Sequence, residues 1–206
     1  MKIKFLLTFF FAAAVFAANA QGYKVGDKVA DFGRLSNLNA KLSAFPDLVG
    51  LSDYASAKGV VVVFTCNHCP FSVKYEDRLI ALHQSFAAQG YPVLAINSND
   101  PVQYPDDAPA EMTVRARDKN FPFAYAFDET QQVAKAFGAT RTPHVYVLQR
   151  KGKNYFVRYI GSIDDDPEGA NIKETYLSNA LTALLANKKV AVSTTKALGC
   201  SIKWKK

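Results

Sequence analysis

Gly59 opens the run Val60-Val61-Val62-Val63-Phe64, and the cysteines of Cys66-Asn67-His68-Cys69 follow almost at once. No other stretch constrains the fold as strongly. Four β-branched residues in succession describe a strand covered on both faces, as in the middle of a parallel sheet. Beyond the cysteines, Tyr75, Leu79, Leu82 and Phe86 recur at helical spacing, and Gly90 ends that helix. Residues 93–96 form a second buried strand. A right-handed crossover makes the two strands parallel neighbours, with the CxxC at the strand-to-helix turn.

Around this βαβ unit the signals are weaker. Residues 23–50 are loop-rich, with slight strand character at "KVADF" and "AKLSAF", and "LSDYASA" reads as a short helix. The polar loop "INSNDPVQYPDDAP" leads into a helix over 110–119. Asp128 and Gln131 have capping-box spacing for a helix that stops at Gly138, and Asn171 and Glu174 repeat the pattern before Leu177, Leu181, Leu184 and Leu185. Residues 145–148 and 155–159 flank Lys151-Gly152 as a hairpin. The order predicts an α/β fold, a mixed central sheet with helices on both faces.

Lys2 and Lys4 precede an apolar stretch over 5–18 that is too short to span a bilayer, and Ala18-Asn19-Ala20 has the small-x-small form of a secretory cleavage site. Residues 1–20 are therefore expected to be a signal peptide, with an exported chain, periplasmic or extracellular, starting near Gln21. Gln rather than Cys at that position offers no lipid anchor. Residues 21–187 suit one domain with a sizeable core, and 188–206 read as a tail packing on it. Without Lys2 and Lys4 the formal charge falls from +7 to +5. Apart from the terminal "KWKK" the excess is scattered, with no basic stripe interleaved with aromatics, which argues against a nucleic-acid partner.

Export matters for the thiols, because disulfides persist outside the cytoplasm and three cysteines cannot all pair within one chain. Structural zinc normally needs four ligands, and His68, His83, His144 and Cys200 supply no second ligand pair. A Cu(I)-carrying module fits better than zinc, since thiolates hold that ion at low coordination. As a staple the CxxC is weak: closing so short a loop contributes about 2 kcal/mol, against about 5 kcal/mol for linking Cys66 to Cys200. Exchange chemistry suits the position. Cys66 at a helix N-terminus would have its thiolate favoured by free amides and the helix dipole, with Cys69 deeper in the helix able to resolve a mixed disulfide. A thiol of pKa near 8.5 is about 3% ionised at pH 7, and one near 7 about half ionised. Pro70 is tolerated in a first helical turn. His68, if protonated, would add to the stabilisation of the Cys66 thiolate and make the pair a better oxidant. His83 reads as a packing or surface residue.

The segments "FTCNHCPFSVKYEDRL", "INSND", "FPFAYAFDETQQVAKAFGATRTPHVYVL", "GSIDD" and "LGCSIKW" give the chain its resemblance to the thioredoxin superfamily, in its peroxiredoxin-like (redoxin, AhpC/TSA-related) exported members. That resemblance implies a thioredoxin fold in which Pro143 is a cis-proline lying against Cys66, and the Thr142 backbone pairs with a bound substrate chain. It also implies thiol chemistry, with no cofactor beyond the redox couple and with partner dithiol or disulfide proteins, or small thiols, as reactants. Peroxidases of the superfamily carry P-x-x-x-T-x-x-C. Here Gly59 and Val63 stand where the proline and threonine belong, and Thr65 is at the wrong offset. Thiol–disulfide exchange by Cys66 and Cys69 is thus favoured over peroxide reduction at Cys66. Some relatives carry a cysteine before the Thr-Pro pair and an acidic residue after it; Arg141 and His144 take those places. Cys200 is either a tail anchor or an accessory thiol.

Overall fold

The computed structural model describes residues 22–206, so the expected signal peptide lies outside the described residues. Strands β1 (Lys28–Val29), β2 (Leu35–Asn37) and β3 (Leu48–Val49) come first, then a 3-10 turn at Leu51–Tyr54. Next are β4 (Gly59–Phe64), α1 (Pro70–Phe86), β5 (Val93–Asn97), a 3-10 turn at Pro105–Asp107, α2 (Pro109–Asp118) and β6 (Ala124–Phe127). The remainder is α3 (Gln132–Phe137), β7 (Arg141–Thr142), β8 (His144–Lys151), β9 (Asn154–Gly161), α4 (Tyr176–Leu185) and β10 (Cys200–Ser201).

Among the described residues one mixed sheet runs β1-β9-β8-β4-β5-β6-β2-β3, and β10 pairs with β7 apart from it. β4 lies in the middle, parallel to β5 and antiparallel to β8. Its valines alternate between two cores, as the two-residue period of a strand requires. Val61 and Val63 join Tyr75 and Leu79 of α1, Met112 of α2 and Leu181 of α4. Val60, Val62 and Phe64 join Tyr54 and, from α3, Val133 and Phe137 on the other face. All four valines are fully buried, each worth about 1.5–3 kcal/mol relative to exposure.

Some local signals turn out differently. "AKLSAF" forms turns; the strand lies earlier, at β2, where the Asn37 carboxamide oxygen accepts from the amides of Asn39 and Tyr125, both at 3.1 Å. At α3, Asp128 does supply the cap, its carboxylate accepting from Ala134 N at 2.9 Å. Gln131 is not its capping-box partner: it occupies the N-cap at φ 60° and donates from Nε2 to the carbonyls of Ser98 and Lys203. Neither Asn171 nor Glu174 caps α4, which starts after Thr175; Asp165 takes the amides of Lys173 and Glu174 instead. The hairpin turns at Gly152, whose φ of 62° suits glycine. No helix among the described residues is long and apolar enough to cross a membrane.

Register then places the site. Phe64, the last residue of β4, faces His144 at the start of β8 and Ile96 near the end of β5. The CxxC turn, the Thr142-Pro143 turn and the loop after β5 therefore meet at one end of the sheet.

Candidate active site

Cys66, Asn67 and His68 bridge β4 to α1, and Cys69 is the N-cap of α1 with extended backbone. Pro70 occupies the first helical position, where its missing N–H leaves no hydrogen bond unmade. This corrects the expected order of the two sulfurs. Cys66 precedes the helix, and the residue at the helix terminus, where amide dipoles favour negative charge, is Cys69.

The Thr142–Pro143 peptide is cis, and Thr142 touches both thiols. Its Oγ1 lies 3.2 Å from Cys66 Sγ, and its carbonyl oxygen accepts from Cys69 Sγ at 3.2 Å. Ser72 Oγ is 3.8 Å from Cys66 Sγ. Both cysteines are enclosed, Cys66 at 2% exposure and Cys69 at 0%, whereas Cys200 is only partly buried. The Thr142 backbone expected to pair with a substrate chain is already paired: Cys200 in β10 lies opposite it in an antiparallel ladder. All three thiols of the chain thus converge on one turn: β10 sets Cys200 opposite Thr142, whose Oγ1 and carbonyl oxygen meet the sulfurs of Cys66 and Cys69.

Their acidities follow from that arrangement. The Cys69 thiol is lowered from an ordinary 9.0 to about 4, first by the hydrogen bond from Cys66, and further by the Cys200 thiol and the amides of Ser72 and Cys200, with burial opposing. Cys66 is pushed up, first because it donates to Cys69, then by burial and by the charge of Asp107. Burial, followed by its hydrogen bond to Cys69, raises Cys200 to about 11. Of the two, Cys66 is the harder to ionise in this arrangement. In its protonated form Cys69 donates to the Thr142 carbonyl, and the pair loses its first proton as a unit.

Asp107 organises the polar side. It is fully buried, and its carboxylate accepts from Asn67 N at 2.6 Å, Asn97 Nδ2 at 3.1 Å and Asn99 Nδ2 at 2.8 Å. His68 Nδ1 meets it at 2.5 Å, with the imidazole stacked on Tyr104. Tyr125 donates its hydroxyl to Asn67 Oδ1 at 2.9 Å. In the sequence Asn67 sits inside the CxxC and Asn97 and Asn99 inside "INSND"; for Asp107 the only signal is the length and polarity of the loop after β5. Cys66, His68 and Asp107 present one sulfur, one nitrogen and one oxygen, all within 4.8 Å of one another. A cation held there would have to break the His68–Asp107 hydrogen bond.

His144 lies against Tyr146, and its Nδ1 accepts from Thr140 N at 3.4 Å; burial lowers it from 6.5 to about 4. His83, at the far end of α1, accepts from Val93 N at 3.2 Å and is a packing residue. Arg141 is exposed and donates to Gly199 O at 3.0 Å.

The architecture has close parallels among solved structures. The chain is similar to an uncharacterized conserved protein from Geobacillus kaustophilus, with 36% identity over 88% of this chain and 93% of that one and a TM-score of 0.78. At the level of fold it is also similar to peroxidoxin BcpB from Mycobacterium tuberculosis (21% identity, 79% of this chain, 97% of that one, TM-score 0.57). A putative thiol:disulfide interchange protein DsbE from Chlorobium tepidum matches to the same degree (20% identity, 79% and 98% coverage, TM-score 0.55). The fold is accordingly the thioredoxin fold, as the sequence led us to expect. No protein of curated function matches the sequence. Residues 25–159 match the model of the AhpC/TSA family across the sheet, the CxxC turn and the cis-proline, and the chain belongs to that family.

Proposed function

We propose that this thiol-acting oxidoreductase is a thiol–disulfide exchanger whose working couple is Cys66 and Cys69. The observation that carries the reading is the pair itself: two sulfurs at the strand-to-helix turn, both touching Thr142 beside the cis-proline. The dithiol gives up its first proton as a unit. The attacking form carries the charge on Cys66, with Cys69 protonated and donating to Thr142 O, and with Thr142 Oγ1 placed to donate to the Cys66 thiolate.

Attack of Cys66 Sγ on a substrate disulfide forms a mixed disulfide and expels one substrate thiolate, which takes up a proton. Cys69 then attacks Cys66 Sγ, and the second substrate thiolate leaves. The substrate gains the two electrons that the protein dithiol loses, and the reverse sequence oxidises a substrate dithiol. Lowering the pKa of the pair's first thiol stabilises the reduced form and so raises the potential, which makes the couple oxidising. His68, bound to Asp107, tunes the charge beside Cys66. The export segment read from the sequence puts this chemistry outside the cytoplasm, with exported proteins or small thiols as reactants.

The test is Cys69→Ala, which should leave a disulfide-bearing substrate trapped on Cys66. Oxidised glutathione should convert the wild-type dithiol to the Cys66–Cys69 disulfide, and in Cys69→Ala glutathione should be recovered bound to Cys66. Failure of Cys66 to form any mixed disulfide would overturn the reading. Family membership and the two hydroxyls near Cys66, those of Thr142 and Ser72, favour a second reading as a thiol peroxidase. Saturable, Cys66-dependent consumption of hydrogen peroxide by the reduced protein would establish it.

A further inference from the structure

Strand β10 pairs with β7 at the cis-proline turn. Cys200 is opposite Thr142 and Ser201 opposite Arg141, and Ile202 N continues the ladder to Thr140 O at 3.1 Å. Ahead of Cys200 the chain passes so close to the cis-proline turn that a Cβ on Gly199 would lie 2.1 Å from the Thr142 carbonyl oxygen. Only glycine allows that approach. Past Cys200, Ile202 is buried in the core, Lys203 N donates to Asn99 Oδ1 at 2.8 Å, and Lys203 O accepts from Asp100 N at 2.9 Å. Asn99 is itself bound to Asp107, so the segment is tied into the site's polar network.

We propose that Cys200 is the third redox thiol of this site, held by β10 in the position of a bound substrate strand, and that it receives the disulfide from the buried pair by exchange at Cys69. The proposal deepens the exchange reading and rests on it. Starting from the Cys66–Cys69 disulfide, Cys200 loses its proton and its sulfur attacks Cys69 Sγ. The Cys69–Cys200 bond forms as the Cys66–Cys69 bond breaks, and the electron pair leaves on Cys66, which takes up a proton. One disulfide and one thiol are present before and after, so no external oxidant is consumed. The consequence is access: Cys66 and Cys69 are enclosed, while Cys200 is partly exposed. Cys200 therefore gives an external thiol a second route to the couple, beside direct reaction at Cys66.

The test isolates the new bond in the full chain carrying Cys66→Ser. After equilibration with oxidised glutathione and blocking of remaining thiols with iodoacetamide, tryptic peptides are mapped without reduction. Peptide 59–74 should be found joined to peptide 197–203, with loss of both free forms. Recovery of Cys69 and Cys200 as separate alkylated or glutathionylated residues would overturn the proposal. In wild-type protein both the Cys66–Cys69 loop and the 59–74/197–203 link are expected, and exclusive recovery of alkylated Cys200 would likewise overturn it. Cys200→Ser should retain the Cys66–Cys69 disulfide. Its absence there would sink the exchange reading itself, a result separate from the Cys66→Ser outcome.

Discussion

Asp107 is the one carboxylate whose charge bears directly on the acidity of Cys66. Its oxygens are committed to Asn67, His68, Asn97 and Asn99, so the charge is fixed in place and raises Cys66. With Cys69 and Cys200 both changed to Ser, alkylation of Cys66 against pH reads that effect alone. Adding Asp107→Asn should move the midpoint of this profile down by roughly one pH unit. No movement would mean that the carboxylate does not act on the sulfur. Cys69 gives a prediction with a definite sign. Its folded value, about 4, is below the ordinary 9.0, so the stabilisation is complete above pH 9 and is lost as the pH falls toward 4. The Tm of reduced wild-type protein minus that of Cys69→Ser should therefore increase with pH across this window. His144 is also lowered, from 6.5 to about 4, and its unfolded form takes up protons in the acid part of the same range. Because both proteins contain His144, that contribution cancels in the difference.

Between elements, α2 is fastened to α1 by a nearly buried ion pair. Arg115 donates from Nε and Nη2 to the two oxygens of Glu76 at 2.7 and 2.8 Å, with Lys119 Nζ at 3.5 Å. Arg115→Ala leaves Lys119 as the only cation near a carboxylate that is 6% exposed. The expected loss in urea denaturation is about 2–3 kcal/mol, below the full cost of unpairing a buried charge because Lys119 remains. Since α2 starts directly after the turn that carries Asp107, exchange activity should fall as well. A change within 0.5 kcal/mol, the range of an ordinary surface substitution, would show that the pair holds nothing. Elements of this kind differ in how far the sequence discloses them. The valine run of β4 and the leucines of α4 are legible because burial on a fixed period leaves an unmistakable pattern. β2 and β3 are two or three residues long, too short for any period, and tertiary bonds from Asn37 decide where β2 lies. The capping-box patterns misled for a related reason: the side chain of Gln131 is taken by Ser98 and Lys203, and the amides before α4 by Asp165. In the site, the CxxC could be read directly. Asp107 could not, because Asp100, Asp106 and Asp107 are equivalent in a polar loop until folding sets one of them against three asparagines.

Across the whole molecule the segment after α4 connects the far side of the sheet to the redox site. Val190 enters the core, and Thr195 Oγ1 accepts from Ser162 N at 2.9 Å, where a Cβ on Gly161 would come within 2.0 Å of it. The chain then crosses Thr142 at Gly199 and closes over the thiols. Two glycines therefore admit the tail at its two closest approaches, which explains why a segment with so little regular structure is nevertheless well placed. The sequence reads as a tail packing on the domain, but its route past Thr142 is not legible there, since neither "LGCS" nor the scattered lysines carries a periodic signal. Gly199→Val tests the closure. A side chain there collides with the Thr142 carbonyl, so β10 should separate from β7 while the eight-stranded sheet, with which it shares no ladder, stays intact. Reaction of Cys66 and Cys69 with a bulky maleimide should then accelerate by at least about tenfold, corresponding to about 1.4 kcal/mol of lost docking. Val192→Ala, an exposed change in the same segment, should leave the rate near wild type. If Gly199→Val folds and its thiols react no faster than those of wild type, the tail does not govern access to the pair, and the enclosure of Cys66 and Cys69 must come from the strand-to-helix turn alone.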